Sequence, residues 1–238
     1  MATPAKIKVM SAGAVEGPLE QLVPDFMRAS GHHVDIAFNT VGALQARFKG
    51  GEKTDVIILS DPAIEALEKT GVFVAGSRAS LGRATTGVAM RAGASAPDIS
   101  TPDAFKQTLL RARSIAATDP AAGGSSGIYF AGLLERLGIA ADVNRKAVLR
   151  PTGRNVAEAV ARGEAELGIT FISEFVPIKG TQVVGPLPTA MQFTNGYAAA
   201  IAATSEALAA ARDFIAFLTR PAGREHFKTF GLEPPAGR

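Results

Sequence analysis

The chain has no cysteine and no tryptophan, and only three histidines in 238 residues. Without cysteine there is no thiol catalysis, no cysteine-ligated zinc and no disulfide. His32, His33 and His226 contain no i, i+4 pair of the kind that holds a metal on a helix. None of them follows a strand in the way a Ser-His-Asp triad requires. No metal is therefore expected. No apolar run approaches the ~20 residues that span a bilayer, and the N-terminus shows no secretory apolar segment. Charge of one sign is also scarce: 25 Lys+Arg stand against 22 Asp+Glu, a formal balance of +3. No basic block is interleaved with aromatics, so no nucleic acid partner is expected. Neither a Gly-Lys-Ser/Thr phosphate loop nor a Gly-x-Gly-x-x-Gly fingerprint follows a strand. Gly123-Gly124 has no lysine at the needed spacing, and no cofactor is indicated.

What is present is a globular composition, 47% hydrophobic and 20% charged, long enough for a large core in one or two domains. The mildly basic balance suits a small anionic ligand without demanding one.

One stretch organises the rest. Residues 113–118 form a short apolar run that reads as a strand, and Ile128, Phe130, Leu133, Leu134 and Leu137 recur at helical spacing. Gly123, Gly124, Ser125 and Ser126 fall between the two. Glycine lets backbone approach a ligand, serine is expected to cap the helix and offer a hydroxyl, and a helix N-terminus favours an anion. An ordinary strand-to-helix turn would look the same.

The device repeats along the chain. Residues 6–10 read as a strand, followed by a helix with Leu19, Leu22, Val23 and Phe26 inward and Gly31 at its end. His32-His33 then reads as a solvated turn. Residues 34–38 are a second strand, with a helix opening at 39–42. Residues 55–59 are a third strand, apolar on both faces like a buried parallel strand, and Ser60-Asp61-Pro62 starts a third helix. Ser11, Thr40 and Ser60 are thus expected at the carboxyl ends of adjacent strands, where open sheets collect ligands. Further strands are expected at 83–90, 147–150, 167–172, 182–185 and 197–202. Helices are expected at 102–110 and 156–162, from Ser205 onward, and through Phe227. The alternation predicts an α/β protein with mostly parallel sheets. Two lobes follow, 1–82 with 197–238 and 83–196, with a ligand cleft expected between them.

These segments resemble the periplasmic solute-binding proteins of the two-lobe second type, within them the molybdate-binding-like branch. The resemblance rests on residues 9–14, 55–61, 119–120 with 125–129, 163–170, 184–186, 214–218 and 230–231, and covers nearly the whole chain. It implies a periplasmic-binding-protein-like fold. It also implies an anion held by neutral hydroxyl and N–H donors on the loops Ser11-Ala12-Gly13, Thr40-Val41-Gly42, Ser125-Ser126-Gly127 and Phe171-Ile172-Ser173. Two positions depart from the molybdate pattern. The second loop has Val41-Gly42-Ala43 in place of a serine-rich segment, and Phe171 stands where a tyrosine is typical. A ligand with an organic part and carboxylates is therefore weighed equally, with Arg154 as a bidentate carboxylate partner.

Three readings stand. The first is a solute-binding protein that hands a small anion to a membrane transporter. The second is a cofactor-independent isomerase of a small unsaturated tricarboxylate, resembling aconitate isomerases. It would work by allylic proton transfer with Glu16 as base and Asp61, Asp119, Tyr129 and Glu174 as further acid/base candidates. The third is a cytoplasmic ligand-sensing module. The resemblance implies a monomer in the periplasm after loss of a signal peptide, a start that residues 2–5 would suit; a cytoplasmic location is the alternative.

Overall fold

The computed structural model describes residues 4–235; residues 2 and 3 of the 2–5 stretch lie outside the described residues. Along the chain run β1 (Lys6–Ala12), α1 (Glu16–Ser30), β2 (His33–Asn39), α2 (Val41–Lys49), β3 (Val56–Ser60), α3 (Asp61–Glu68) and β4 (Ala79–Arg91). Then come α4 (Pro102–Arg111), β5 (Ile115–Thr118), α5 (Ser125–Arg136), α6 (Ala140–Asn144), β6 (Ala147–Arg150), α7 (Gly153–Ala161), β7 (Leu167–Phe171) and α8 (Ile172–Phe175). The chain closes with β8 (Thr181–Pro186), β9 (Thr194–Ile201), α9 (Leu208–Thr219), α10 (Pro221–Thr229) and β10 (Leu232–Glu233). The described residues form two compact units. One takes the chain up to Arg83 and again from Asn195 onward; the other is Ala84–Thr194.

In the first unit the strand order is β2-β1-β3-β9. β1 runs parallel to β2 and β3, whereas β9 runs antiparallel to β3. Val56, Ile57, Ile58 and Leu59 are wholly buried, as expected of a strand covered on both faces. Phe26 of α1 meets Phe214 of α9 edge-on at 5.1 Å between centroids, so the C-terminal helices pack onto the N-terminal βα units. The helix expected from Ser205 begins at Leu208 instead. Ser205 Oγ donates to Asp55 Oδ1 at 2.7 Å and accepts from the Ala207 N–H at 3.2 Å, which holds that residue in the approach to the helix.

His32 departs from the solvated turn expected for it. It is buried, its Nδ1 accepts the Ala5 N–H at 3.1 Å, and its ring lies 6.0 Å from Phe26. His33 opens β2 and is exposed.

In the second unit the order is β4-β7-β5-β6, with β8 also on β4. β5 is parallel to β6 and β7, while β4 is antiparallel to β7 and β8. The sheets are therefore mixed, with antiparallel members where the chain passes between units. Alternation along β5 divides the core: Ile115 and Ala117 pack with Phe105, Leu109, Phe130 and Leu133, and Ala116 packs with Val156, Val160 and Phe175. This is the period-2 signature of a strand with helices on both faces. The short α6, α8 and β10 were not expected. Pieces of two to five residues hold too little periodicity to register in a sequence.

Candidate functional site

Parallel strands that share a direction bring their carboxyl ends to one edge, and in each unit the candidate residues gather there. In the first unit the register sets Ser11 beside Phe38 of β2 and Ile58 of β3. Thr40 and Ser60 each lie two residues beyond those partners. The three hydroxyl residues thus stand at neighbouring strand ends, and all are buried. Ser11 Oγ makes one long local bond, to the Ala12 carbonyl at 3.3 Å. Thr40 Oγ1 caps α2 by accepting the Ala43 N–H at 3.3 Å. Ser60 is the N-cap residue of α3, yet its side chain makes no capping bond. Val41 and Gly42 are the first two residues of α2, and Ala12 and Gly13 lead from β1 into a short 3-10 turn.

Glu16 is the half-buried first residue of α1, close in sequence to the Ser11 loop. Asp61 pairs with Arg78 at 3.0 Å. A Cβ built on Gly196 would meet the Asp61 carboxylate at 1.9 Å, so this acid is packed into the structure.

In the second unit Thr118 ends β5. Asp119 then accepts the Ala121 N–H at 2.9 Å, and Gly123 turns the chain with φ +74°, a conformation that favours glycine. The N-cap of α5 is Gly124, not a serine. Its carbonyl accepts the Ile128 N–H at 3.0 Å, which places Ser125 and Ser126 inside the first turn. Gly127 packs so closely on Thr118 that a Cβ there would lie 2.2 Å from the Thr118 carbonyl oxygen. Thr118 Oγ1 is buried and has no hydrogen-bond partner.

The most connected residue at this edge is Glu174. Its Oε2 accepts the Thr170 hydroxyl at 2.5 Å and the Phe171 N–H at 3.3 Å. Thr170 Oγ1 is in turn 3.0 Å from Ser126 Oγ. The carboxylate sits against the first residue of α7, where Gly153 leaves room for it: a Cβ would meet Oε2 at 1.9 Å. A helix N-terminus stabilises a negative charge placed so. Arg154, next along α7, bonds Glu158 at 3.4 Å. Phe171, Ile172 and Ser173 span the end of β7 and the start of α8, with Phe171 and Ser173 buried.

Tyr129 is occupied as well. Its hydroxyl donates to the Met191 carbonyl at 2.8 Å, and its ring stacks on Phe193 at 4.5 Å. Phe171 stands 6.0 Å from the same Phe193 ring, so an aromatic wall flanks these hydroxyls.

Thr118, Thr170 and Gly153 are positions that motif reading passed over. The i, i+4 spacing of Thr170 and Glu174 straddles a strand-to-helix junction, where neither period applies. A hollow of about 470 Å³ among Met90, Gln107, Arg111 and Leu167 lies at the opposite strand ends and holds none of the candidate residues. Among the described residues no group of three acids or histidines could hold a metal, and no helix is long and apolar enough to cross a membrane.

Strands whose carboxyl ends carry hydroxyls and helix N-termini, repeated in two α/β units, define a periplasmic-binding-protein fold. A periplasmic molybdate-binding protein of Azotobacter vinelandii superposes with a TM-score of 0.81 at 22% identity, over 97% of this chain and all of that one. The chain belongs to the bacterial extracellular solute-binding protein family, whose sequence pattern matches residues 7–233. Among curated relatives, it is 33% identical to an aconitate isomerase of a Pseudomonas species, over 96% of this chain and 87% of that protein. It is 25% identical to the molybdate-binding protein ModA of Escherichia coli (strain K12), over 98% and 90%.

Proposed function

We propose that this protein binds a small anion, an oxyanion or a di- or tricarboxylate, as the monomeric solute-binding component of a membrane transporter in the periplasm. The observation that carries the reading is the gathering of neutral donors at strand ends. Ser11, Thr40 and Ser60 stand at the ends of adjacent strands, and Ser125 opens the first turn of a twelve-residue helix. Neutral hydroxyls and the positive ends of helices attract an anion without burying a compensating charge. Such a ligand is held firmly and still released, as delivery requires. Arg154 supplies the cationic partner if the ligand carries a carboxylate. The family match across 7–233 and the relatives named for molybdate support this reading.

A second reading rests on the 33% identity to an aconitate isomerase. There the same donors would clamp carboxylates while one group removes an allylic proton and returns it to the other end of the three-carbon system, moving the double bond. Glu16 is the candidate for that group, since it opens α1 beside the Ser11 loop.

A thermal-shift screen of molybdate, tungstate, sulfate, phosphate and di- and tricarboxylates tests both. A ligand at 100 times its Kd stabilises by about 2.7 kcal/mol. Incubation with cis- and trans-aconitate, followed by proton NMR, separates the two. A shift with no interconversion supports carriage; appearance of the other isomer, abolished in E16Q with binding retained, supports the isomerase. Unchanged affinity in both S11A and S125A would remove the strand-end loops as the binding site.

A further inference from the structure

We infer that Ser126 meets the ligand as a hydrogen-bond acceptor, so that the second unit's loop favours a ligand carrying a hydroxyl or protonated oxygen over a fully deprotonated oxyanion. This rests on the anion-binding reading above and assigns a specificity-determining role within it.

A serine or threonine hydroxyl has one proton to donate and two lone pairs. Glu174 Oε2 lies 2.5 Å from Thr170 Oγ1 and also accepts the Phe171 N–H. An oxygen that already accepts an amide proton is the one that carries none itself, so the Thr170 proton points to Glu174. Thr170 Oγ1 then has only lone pairs for its other partner, Ser126 Oγ at 3.0 Å. That bond must be donated by Ser126. The Ser126 proton is thereby committed to the interior, and what its oxygen retains is an acceptor.

Glu174 is held in place to enforce this order. Gly153 has no side chain to displace the carboxylate, and the positive end of α7 faces it. The N-terminus of α7 is thus covered by the protein's own carboxylate. A different hydroxyl is left to donate at this edge: Thr118 Oγ1 is buried, without a hydrogen-bond partner, and packed against the same first turn of α5. The loop therefore offers an acceptor at Ser126 beside the donors Thr118 and Ser125, whereas a fully deprotonated oxyanion uses donors alone.

Calorimetric titration with citrate, tricarballylate and molybdate tests this. Citrate and tricarballylate share three carboxylates and differ by one hydroxyl. The wild-type protein should prefer citrate by about tenfold, the upper range for one neutral hydrogen bond. S126A should lose that preference, with citrate falling to the affinity of tricarballylate. T170V releases the Ser126 proton and should raise molybdate affinity by up to about tenfold. Equal wild-type affinities for citrate and tricarballylate would overturn the inference alone. So would molybdate binding without citrate binding, or an undiminished citrate preference in S126A. Binding of none of the three would overturn the anion-binding reading and this inference together. The wild-type comparison needs no variant to fold.

Discussion

The Glu174 carboxylate occupies the space that a side chain on Gly153 would need, with Oε2 1.9 Å from an ideal Cβ position. A buried acid and a helix-opening glycine are therefore one arrangement. G153A should destabilise the protein by about 1–3 kcal/mol, the usual cost of overpacking, measured by urea denaturation. The double variant G153A/E174A should show less loss than the sum of the single ones, because the clash is absent once the carboxylate is gone.

Gly127 differs in what it touches. A Cβ there meets the backbone carbonyl of Thr118 at 2.2 Å, and backbone cannot rotate away as a side chain can. G127A should shift α5 off the end of β5 and carry Ser125 and Ser126 with it. The expected outcome is a lower Tm together with a loss of ligand affinity, read from thermal unfolding and titration of one preparation.

Asp55 lies at the other end of the strands. It accepts the Lys8 N–H at 2.8 Å and the Ser205 hydroxyl at 2.7 Å. D55A removes both bonds and should cost about 1–3 kcal/mol in all, from about 0.5–1.5 kcal/mol for each. Ligand affinity of the folded fraction should be unchanged, which separates this lesion from the one at Gly127.

Acid sensitivity has an identifiable contributor. The Arg113 backbone N–H bonds the Glu166 carboxylate and, with its guanidinium, holds the group below the ordinary glutamate value of 4.5 against the opposing effect of burial. A carboxylate depressed on folding stabilises the native state above its unfolded value, and that stabilisation disappears as pH falls through the folded one. Stability should therefore decline below about pH 4.5. E166Q should flatten the slope there while lowering stability at pH 7, as urea midpoints across pH 3–7 would show.

The repeated unit was legible because its signals are local. The apolar run of β3, the Ser60-Asp61-Pro62 start and the Gly31 stop each depend on a few neighbouring residues, and the structure has them at Val56–Ser60, Asp61 and Gly31. The gathering of Ser11, Thr40 and Ser60 followed from strand adjacency alone. What escaped depends on distant partners. His32 looks like a turn residue until Ala5 and Phe26 enclose it. Glu174 looks like a helix-start acid until Gly153, some twenty residues earlier, opens the space it fills. The serines at 125 and 126 read as caps because the glycine before them can adopt the capping conformation unaided.

β3 is an inner strand of its unit, and its neighbour on one side is β9, paired from Val56 opposite Ile201 to Ser60 opposite Tyr197. On a ribosome those partners emerge more than a hundred residues apart. While Ala84–Thr194 is still being made, the most apolar strand of the chain has one edge unpaired. That middle unit is continuous in sequence, whereas the first unit is completed only by the residues from Asn195 onward. A nascent chain stalled before residue 197 should expose a sticky edge that holding chaperones would recognise.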